Sequence, residues 1–147
     1  MNNINIIQDN IIKDFEIFQN DLESIIYYII DLGRNIPLMD KKYKIERNLI
    51  KGCQSNVWLI SSLLNEDKIF YYADSNNMIT KGLISLLLKI FNNQSYKDII
   101  NSNVYFIDKI GMSYVIGSQR INGIYSMIKT IKYYAMLHSI EKKYEKK

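Results

Sequence analysis

The hydrophobic positions near the start of the chain follow a helical period. Over residues 22–32 the apolar side chains return every three to four positions, which is one face of an α-helix. Asp21 is a candidate N-cap, and Gly33 with Pro37 beyond it is a stop signal. We therefore predict a helix from about residue 21 to 32. A shorter helix is expected before it, with an apolar face made of Ile11, Ile12, Phe15 and Phe18.

After residue 56 the pattern becomes that of β-strands. Residues 57–60 begin an apolar run, 65–67 are a turn signal, and 68–73 return as a second strand rich in aromatic residues. Two strands alone are marginally stable, so either a third strand, for which residues 48–50 are the candidate, or helices packed on one face are required. The charged segment from Asp40 to Ile50 has no clear period, which predicts a connection.

A helical period returns in the second half of the chain. Residues 78–91 share an apolar face that Asn92-Asn93 ends, and Ser95 fits a capping box before a further helix. Ser118 is a candidate cap for a long final helix. Its apolar stripe consists of Ile121, Ile124, Ile128, Ile131 and Ala135. The order of elements predicts one α+β domain over residues 1–147, in which N-terminal helices and a small antiparallel sheet of about three strands pack against C-terminal helices.

Length and charge set limits on the class of protein. A chain of 147 residues with a net charge of +4 suits a single domain. The charge is spread along the chain and partly lies in the tail, residues 142–147, which favours a solvated helix end over a nucleic-acid surface. The apolar runs are far shorter than the roughly 18 residues that span a bilayer, and the N-terminus has no signal-peptide pattern. We expect a soluble cytoplasmic protein.

Cys53 is the only cysteine, and it follows Gly52 and precedes Gln54 and Ser55. A single cysteine excludes a disulfide within the chain. A free cysteine is often a buried, inert side chain, but polar neighbours that favour a turn indicate a loop. With an ordinary pKa near 8.5, a thiol is only a few per cent ionised at neutral pH. A reactive Cys53 would therefore need a cation, backbone N–H groups or a partner to stabilise its thiolate.

The run Gly52-Cys53-Gln54-Ser55-x-Val57-Trp58 resembles the active-cysteine motif of the SufE family, the sulfur acceptors of iron–sulfur cluster assembly. Gln54-Ser55 resembles SufE more than the related CsdE branch. Four other runs resemble the family in order and spacing: Tyr28-Ile29-Ile30-Asp31-Leu32-Gly33 with Ile36-Pro37, Ala73-Asp74-Ser75, Lys81-Gly82-Leu83-Ile84, and Arg120-x-x-Gly123. The chain departs from the family pattern at Ala73, at Gln119 and at Gly117-Ser118, where Gly, Ser and Thr-Pro are usual.

The resemblance implies a mechanism and partners. A PLP-dependent, SufS-like cysteine desulfurase forms a persulfide on its own cysteine, and Cys53 takes the terminal sulfur and passes it to the SufBCD scaffold complex. The PLP belongs to the desulfurase, and the resemblance implies no cofactor or metal on this chain. The fold it implies is that of SufE and the U-type scaffolds. The supporting site residues that it implies are Gly52, Gln54, Ser55, Asp74 and Arg120.

Asp74 and Arg120 also have structural interpretations. Asp74 could simply form a turn or a helix cap. Arg120 falls in the first turn of the predicted final helix, where the helix dipole disfavours a cation. Such a position indicates a specific partner, either Asp74 or the backbone of the cysteine loop. We hypothesise that Arg120 orders that loop or favours the thiolate.

Other functions and roles fit the sequence less well. An iron–sulfur scaffold needs several thiolate ligands, so one cysteine argues against it. A basic nucleic-acid-binding module would have to use the final helix, but the apolar face of that helix is needed for packing. We therefore expect no nucleic-acid partner, and the short apolar runs predict no membrane partner. His138 would have to fold back onto Cys53 to form a dyad, and the two cannot build a zinc site alone. The oligomeric state stays open, a homodimer included.

Three other residues are expected to be structural. Gly82 and Gly123 lie inside predicted helices, where glycine costs about 1 kcal/mol relative to alanine. Close packing of the backbone is the expected compensation. Trp58 is expected to be a core or rim aromatic residue that anchors the strand leaving the cysteine loop.

Overall fold

The computed structural model describes residues 3–145, and over this range the chain forms seven α-helices and a three-stranded antiparallel sheet. This is the predicted α+β class. The helices are α1 (Asn3–Glu16), α2 (Leu22–Arg34), α3 (Met78–Phe91), α4 (Tyr96–Ile100), α5 (Phe106–Ile110), α6 (Met112–Ile116) and α7 (Ser118–Glu145). The strands are β1 (Val57–Leu64), β2 (Lys68–Ser75) and β3 (Gln94–Ser95). Two short 3₁₀ turns are Lys41–Tyr43 and Glu46–Asn48.

The two N-terminal helices differ from the prediction at their ends. Asp21 caps α2 as expected, because its carboxylate accepts a hydrogen bond from the backbone N–H of Ser24. Gly33 is not the stop signal: α2 continues to Arg34. The preceding helix is not the shorter one either, since α1 has 14 residues and α2 has 13. Phe18 lies beyond α1, where its ring packs at 5.0 Å from that of Tyr28.

Gly33 and Gly82 let α2 and α3 cross with their backbones in contact. A Cβ added to Gly33 would lie 2.7 Å from the backbone nitrogen of Gly82, and one added to Gly82 would overlap the carbonyl oxygen of Ile29. This confirms the close packing expected at Gly82. It also explains why Gly33 occurs inside a helix, since the missing side chain serves packing and not termination.

We expect Gly82→Ala to destabilise the domain by about 1–3 kcal/mol, the usual cost of overpacking, even though alanine has the better helix propensity. Denaturant unfolding of the variant measures this. The matched control is Gly123→Ala, because a Cβ at that buried helical glycine would meet its nearest neighbour at an ordinary 3.5 Å. The control should be neutral or slightly stabilised, and equal losses in both variants would contradict the crossing as the cause.

The sheet is a long hairpin with a short third strand. β1 and β2 pair over their whole length, from Val57 opposite Ser75 to Leu64 opposite Lys68. The third strand is β3, which pairs with the start of β2, and not the predicted segment 48–50. That segment makes a single bridge between Leu49 and Trp58, because the chain before it is wound into a 3₁₀ turn.

Helix α3 is the centre of the core. It packs against α2 on one side and β2 on the other, so apolar residues surround most of it. Helix α7 also packs onto the sheet, where the hydroxyl of Tyr71 donates to the carbonyl oxygen of Ile131 at 2.8 Å. The sheet and these two helices thus form the rigid frame on which the cysteine loop is mounted.

The final helix follows the predicted stripe and begins one residue earlier than expected. Ile124, Ile128, Ile131 and Ala135 are buried, and Ile121 is half-buried. Ser118 is the first helical residue and not the cap, since Gly117 before it has a positive φ of 86° and accepts a hydrogen bond from the N–H of Ile121.

The short helix α4 agrees with its predicted cap, because the Ser95 hydroxyl accepts from the N–H of Asp98 at 3.1 Å. Helices α5 and α6, which connect it to α7, were not predicted. Between residues 3 and 145, no helix is long and apolar enough to cross a membrane.

Candidate functional site

Cys53 lies in a loop, residues 51–56, whose two ends are fixed. At its base the N–H of Ile50 donates to the carbonyl oxygen of Val57 at 2.8 Å. Near the start of β1, the N–H of Asn56 donates to the Oδ1 of Asn76 at 3.1 Å. Because both ends are anchored to the β1–β2 hairpin, the position of the cysteine depends mainly on the few residues between them.

Gly52 sets the path of this loop over α7. Its φ of +91° lies in the region that favours glycine, and an added Cβ would overlap the hydroxyl of Ser126 on α7. The loop therefore rests directly on α7, and a side chain at position 52 would lift it. This is a physical reason for the glycine before the cysteine.

The Cys53 thiol is partly sheltered in the resting structure. Its side chain is half-buried, and Sγ donates a hydrogen bond to the carbonyl oxygen of Gly123 at 3.4 Å. Burial raises the pKa of the Cys53 thiol, and a hydrogen bond donated by the S–H stabilises the same neutral form. A Cβ added to Gly123 would lie 3.5 Å from Sγ, which is an ordinary contact, so the close backbone packing expected at Gly123 is not found.

A small cavity of about 60 Å³ lies beside the thiol. Its wall includes Gln54 and Ser55 from the loop, Leu83 from α3, and Arg120 from α7. The structure thus brings together Cys53 and three of the supporting residues named from the sequence. The wall also contains Thr80 and Met127, which the sequence analysis did not single out.

Arg120 is the cation at this cavity. Its side chain is exposed, and within residues 3–145 it forms no ion pair or hydrogen bond. The expectation that Asp74 or the loop backbone is its partner is therefore wrong. An unpaired guanidinium on the cavity wall leaves a positive charge available to a thiolate or to a second molecule.

Asp74 belongs to a separate cluster. Its side chain is 7% exposed, and its two oxygens lie 2.8 Å from Nζ of Lys44 and 3.3 Å from Nζ of Lys81. Burial alone would raise the pKa of Asp74, but the hydrogen bonds from Lys44 and from the N–H of Ser75, together with the charge of Lys81, hold that pKa below its usual value. Asp74 faces Trp58 across the sheet, and Lys44 lies over the Trp58 ring at 5.7 Å.

This cluster fastens the connection before the loop to the sheet and to α3. Lys44 comes from the connection, Asp74 from β2 and Lys81 from α3. Trp58 is a half-buried rim residue, as expected. Lys44 is an isolated lysine in a segment without a clear period, so the sequence gave no indication that it would pair with Asp74.

The stability that Asp74 contributes should depend on pH. Because its folded pKa is below the unfolded value of about 3.8, the contribution is complete above that value and is lost as the pH falls through the folded pKa. At pH 7, we expect Asp74→Asn to cost about 1–3 kcal/mol, because it leaves two lysines without their carboxylate. The difference in free energy of unfolding between the variant and wild type should be smaller in acid than at pH 7. The exposed control Asp67→Asn should differ little from wild type at either pH. A gap that is constant with pH would contradict this assignment.

His138 does not approach Cys53. Its Nε2 lies 2.8 Å from the hydroxyl of Ser61 on β1, and its Nδ1 lies 3.6 Å from a carboxylate oxygen of Glu141. The disfavoured cysteine–histidine dyad is thus not formed. In the described part of the chain, no three His, Cys, Asp or Glu side chains are placed to hold a metal ion.

Comparison with known proteins identifies the family of this chain. Residues 9–135 match the family described as "SufE: Fe-S metabolism associated domain". The chain is 35% identical over 128 residues to a SufE-like protein of Rhizobium meliloti (strain 1021), covering 84% of this chain and 91% of that protein. It is 32% identical over 124 residues to the cysteine desulfuration protein SufE of Wigglesworthia glossinidia brevipalpis, covering 84% and 85%.

The fold is also found in a solved structure. The solution structure of a hypothetical protein from Thermus thermophilus superposes with a TM-score of 0.70 at 13% identity, over 88% of this chain and 93% of that one. At this identity the likeness concerns the fold alone. The family match, in contrast, includes the cysteine loop, the Asp74 cluster and Arg120. The chain therefore belongs to the SufE family, whose members act in iron–sulfur metabolism.

Proposed function

We propose that Cys53 accepts sulfur from a SufS-like cysteine desulfurase and carries it as a persulfide. The observation that supports this most directly is the single thiol of the chain, held in an anchored loop beside a small cavity with a free cation. The reaction needs one nucleophilic sulfur and a surface on which the donor docks. It does not require a second cysteine on this chain.

In the proposed step, the Cys53 thiolate attacks the terminal sulfur of the desulfurase persulfide. A bond forms between Sγ of Cys53 and that sulfur, and the sulfur–sulfur bond of the donor breaks. The electron pair of the broken bond leaves with the donor cysteine as a thiolate. The proton lost from Cys53 before the attack balances the one that the donor thiolate can take up, so no external oxidant or reductant is required.

The resting geometry indicates how the thiol is kept from side reactions. Burial and the hydrogen bond to Gly123 favour the neutral thiol, which is a poor nucleophile. Docking of the donor must therefore move the loop so that Arg120 and the donor stabilise the thiolate. The cavity beside the thiol has a volume of about 60 Å³. A water molecule needs about 10–15 Å³ by the same measure, so the cavity has room for one added sulfur atom after transfer.

The later steps follow from the same chemistry. A persulfide on Cys53 can be attacked by a second thiolate, which supports delivery of sulfur to the SufBCD scaffold complex. An unpaired thiol that must stay reduced between transfers favours the cytoplasm as the compartment. PLP belongs to the donor enzyme in this scheme, and Cys53 supplies only the accepting sulfur.

The test is intact-mass spectrometry after incubation with a SufS-type desulfurase and free cysteine. We expect a mass gain of about 32 Da, one sulfur atom, which a thiol reductant removes. The turnover of the desulfurase should rise in the same mixture. If the mass does not change although the desulfurase is active, Cys53 is not a sulfur acceptor.

A further inference from the structure

The segment before the cysteine loop is the most positively charged part of the described surface. Residues 41–51 contain five cations and one carboxylate, so their net charge is +4, equal to that of the whole chain. The positive charge is thus less evenly spread than the sequence pattern first indicated. The other basic run is the C-terminal tail, where Lys142 is paired with Glu145 at 3.8 Å.

Most of the positive side chains in this segment form no ion pair within the described part of the chain. Lys44 is the exception, because it is bound to Asp74. Lys41, Arg47 and Lys51 are exposed, and none of them forms an ion pair with any residue in the range 3–145. Lys42 is also exposed and lies over the ring of Tyr43 at 5.0 Å. Four positive charges therefore face the solvent without a carboxylate partner.

Hydrogen bonds fix the backbone of the segment that carries these charges. The carboxylate of Asp40 caps the first 3₁₀ turn by accepting from the N–H of Lys42, and the side-chain amide of Asn48 donates to the carbonyl oxygen of Tyr43 at 2.8 Å. The Asp74–Lys44 pair and the Leu49–Trp58 bridge then tie the segment to the end of the sheet that carries the Cys53 loop. The charged surface is thus continuous with the candidate site.

Apolar side chains are exposed in and beside the same segment. Leu38 is 89% exposed, and Tyr43 and Ile45 are each 39% exposed. Exposed apolar groups next to unpaired cations are typical of a protein interface, in which the apolar groups supply contact area and the charges supply orientation. A nucleic-acid backbone would pair with the cations but would leave an aliphatic side chain such as Leu38 without a partner.

We propose that residues 41–51, together with Leu38, form a docking surface for an acidic surface of the desulfurase that supplies sulfur to Cys53. This proposal rests on the proposed function and specifies what the partner must present. Complementary charge raises the rate of encounter and fixes the orientation of the two proteins, and it does so less at high ionic strength. Oriented docking here would bring the donor persulfide to the loop that directly follows the segment.

The test is the rate of persulfide formation on Cys53, measured by mass spectrometry at several salt concentrations. The variant is Lys41→Glu/Arg47→Glu, because both side chains are exposed and neither is used in packing or in the Asp74 cluster. Lys51 is left unchanged because its charge lies two residues from the thiol. The matched control is Lys97→Glu/Lys143→Glu, which makes the same charge change at exposed positions on α4 and near the end of α7.

We expect the 41/47 variant to react about tenfold or more slowly than wild type at low ionic strength and the gap to close as salt rises. The control should follow wild type. If wild type, variant and control form the persulfide at equal, salt-independent rates, the docking proposal is wrong while the acceptor function stands. If none of them forms a persulfide, the proposed function itself fails. If the variant loses binding to a fluorescent 20-nucleotide RNA but keeps its rate of sulfur acceptance, the surface is a nucleic-acid site and the proposal is overturned.

Discussion

Replacing Cys53 with serine is expected to abolish sulfur acceptance without unfolding the domain. The variant has no sulfur nucleophile left, since Cys53 is the only cysteine of the chain. A serine hydroxyl ionises far less readily than a thiol and does not form a persulfide. The hydroxyl can still donate to the carbonyl oxygen of Gly123, so the half-buried position remains satisfied. The free energy of unfolding should therefore change by about 1 kcal/mol or less.

Two measurements check this result. Intact-mass spectrometry should show no gain of one sulfur atom in Cys53→Ser, and the variant should no longer raise the turnover of the desulfurase. The control is Ser62→Ala, which alters an exposed serine of β1 that does not line the cavity and keeps the thiol. Full stimulation of the desulfurase by a folded Cys53→Ser variant would contradict the acceptor mechanism, because stimulation would then arise from binding alone.

The elements with a strong period could be predicted from the sequence. Helices α2, α3 and α7 and both long strands were expected close to their observed positions, because each has an apolar face of clear helical or strand spacing. The third strand was misplaced because β3 is only two residues long, too short for a pattern to show. Gly33 was misread because a packing glycine and a terminating glycine look the same in a sequence.

The candidate site could be predicted only in part. The motif named Cys53 and its neighbours, and the structure brings Gln54, Ser55 and Arg120 to the cavity beside that thiol. The contacts made by Ser126 and Lys44 depend on how the loop rests on α7 and how the connection folds back to β2. These are tertiary contacts between segments far apart in the chain, and no local period encodes them.

Replacing Arg120 with alanine is expected to slow sulfur acceptance about tenfold at neutral pH. Arg120 lines the Cys53 cavity and has no ion pair among residues 3–145, so its charge is free to stabilise the thiolate when the donor docks. An opposite charge near a titrating group shifts its pKa by about 1–3 units, and each unit changes the thiolate fraction about tenfold below the pKa. The loss should therefore shrink as the pH rises and the thiol ionises without help.

The stability of the Arg120→Ala variant should not fall. Arg120 lies in the first turn of α7, where a cation opposes the helix dipole by about 0.3–1 kcal/mol, and its removal breaks no hydrogen bond within the described chain. Lysine at this position should restore part of the rate, since it keeps the charge. The control is Arg34→Ala, which removes an exposed arginine that pairs with Asp31 and should leave the rate unchanged.

The pH profile of the rate distinguishes the two roles proposed for Arg120. If Arg120 favours the thiolate, the variant approaches wild type in alkaline solution, and alkylation of Cys53 by iodoacetamide shows the same shift towards higher pH. If Arg120 only orders the loop, the rate is lower by the same factor at every pH and lysine does not restore it. A rate that is unchanged at all pH values would mean that the guanidinium on the wall of the Cys53 cavity has no part in sulfur transfer.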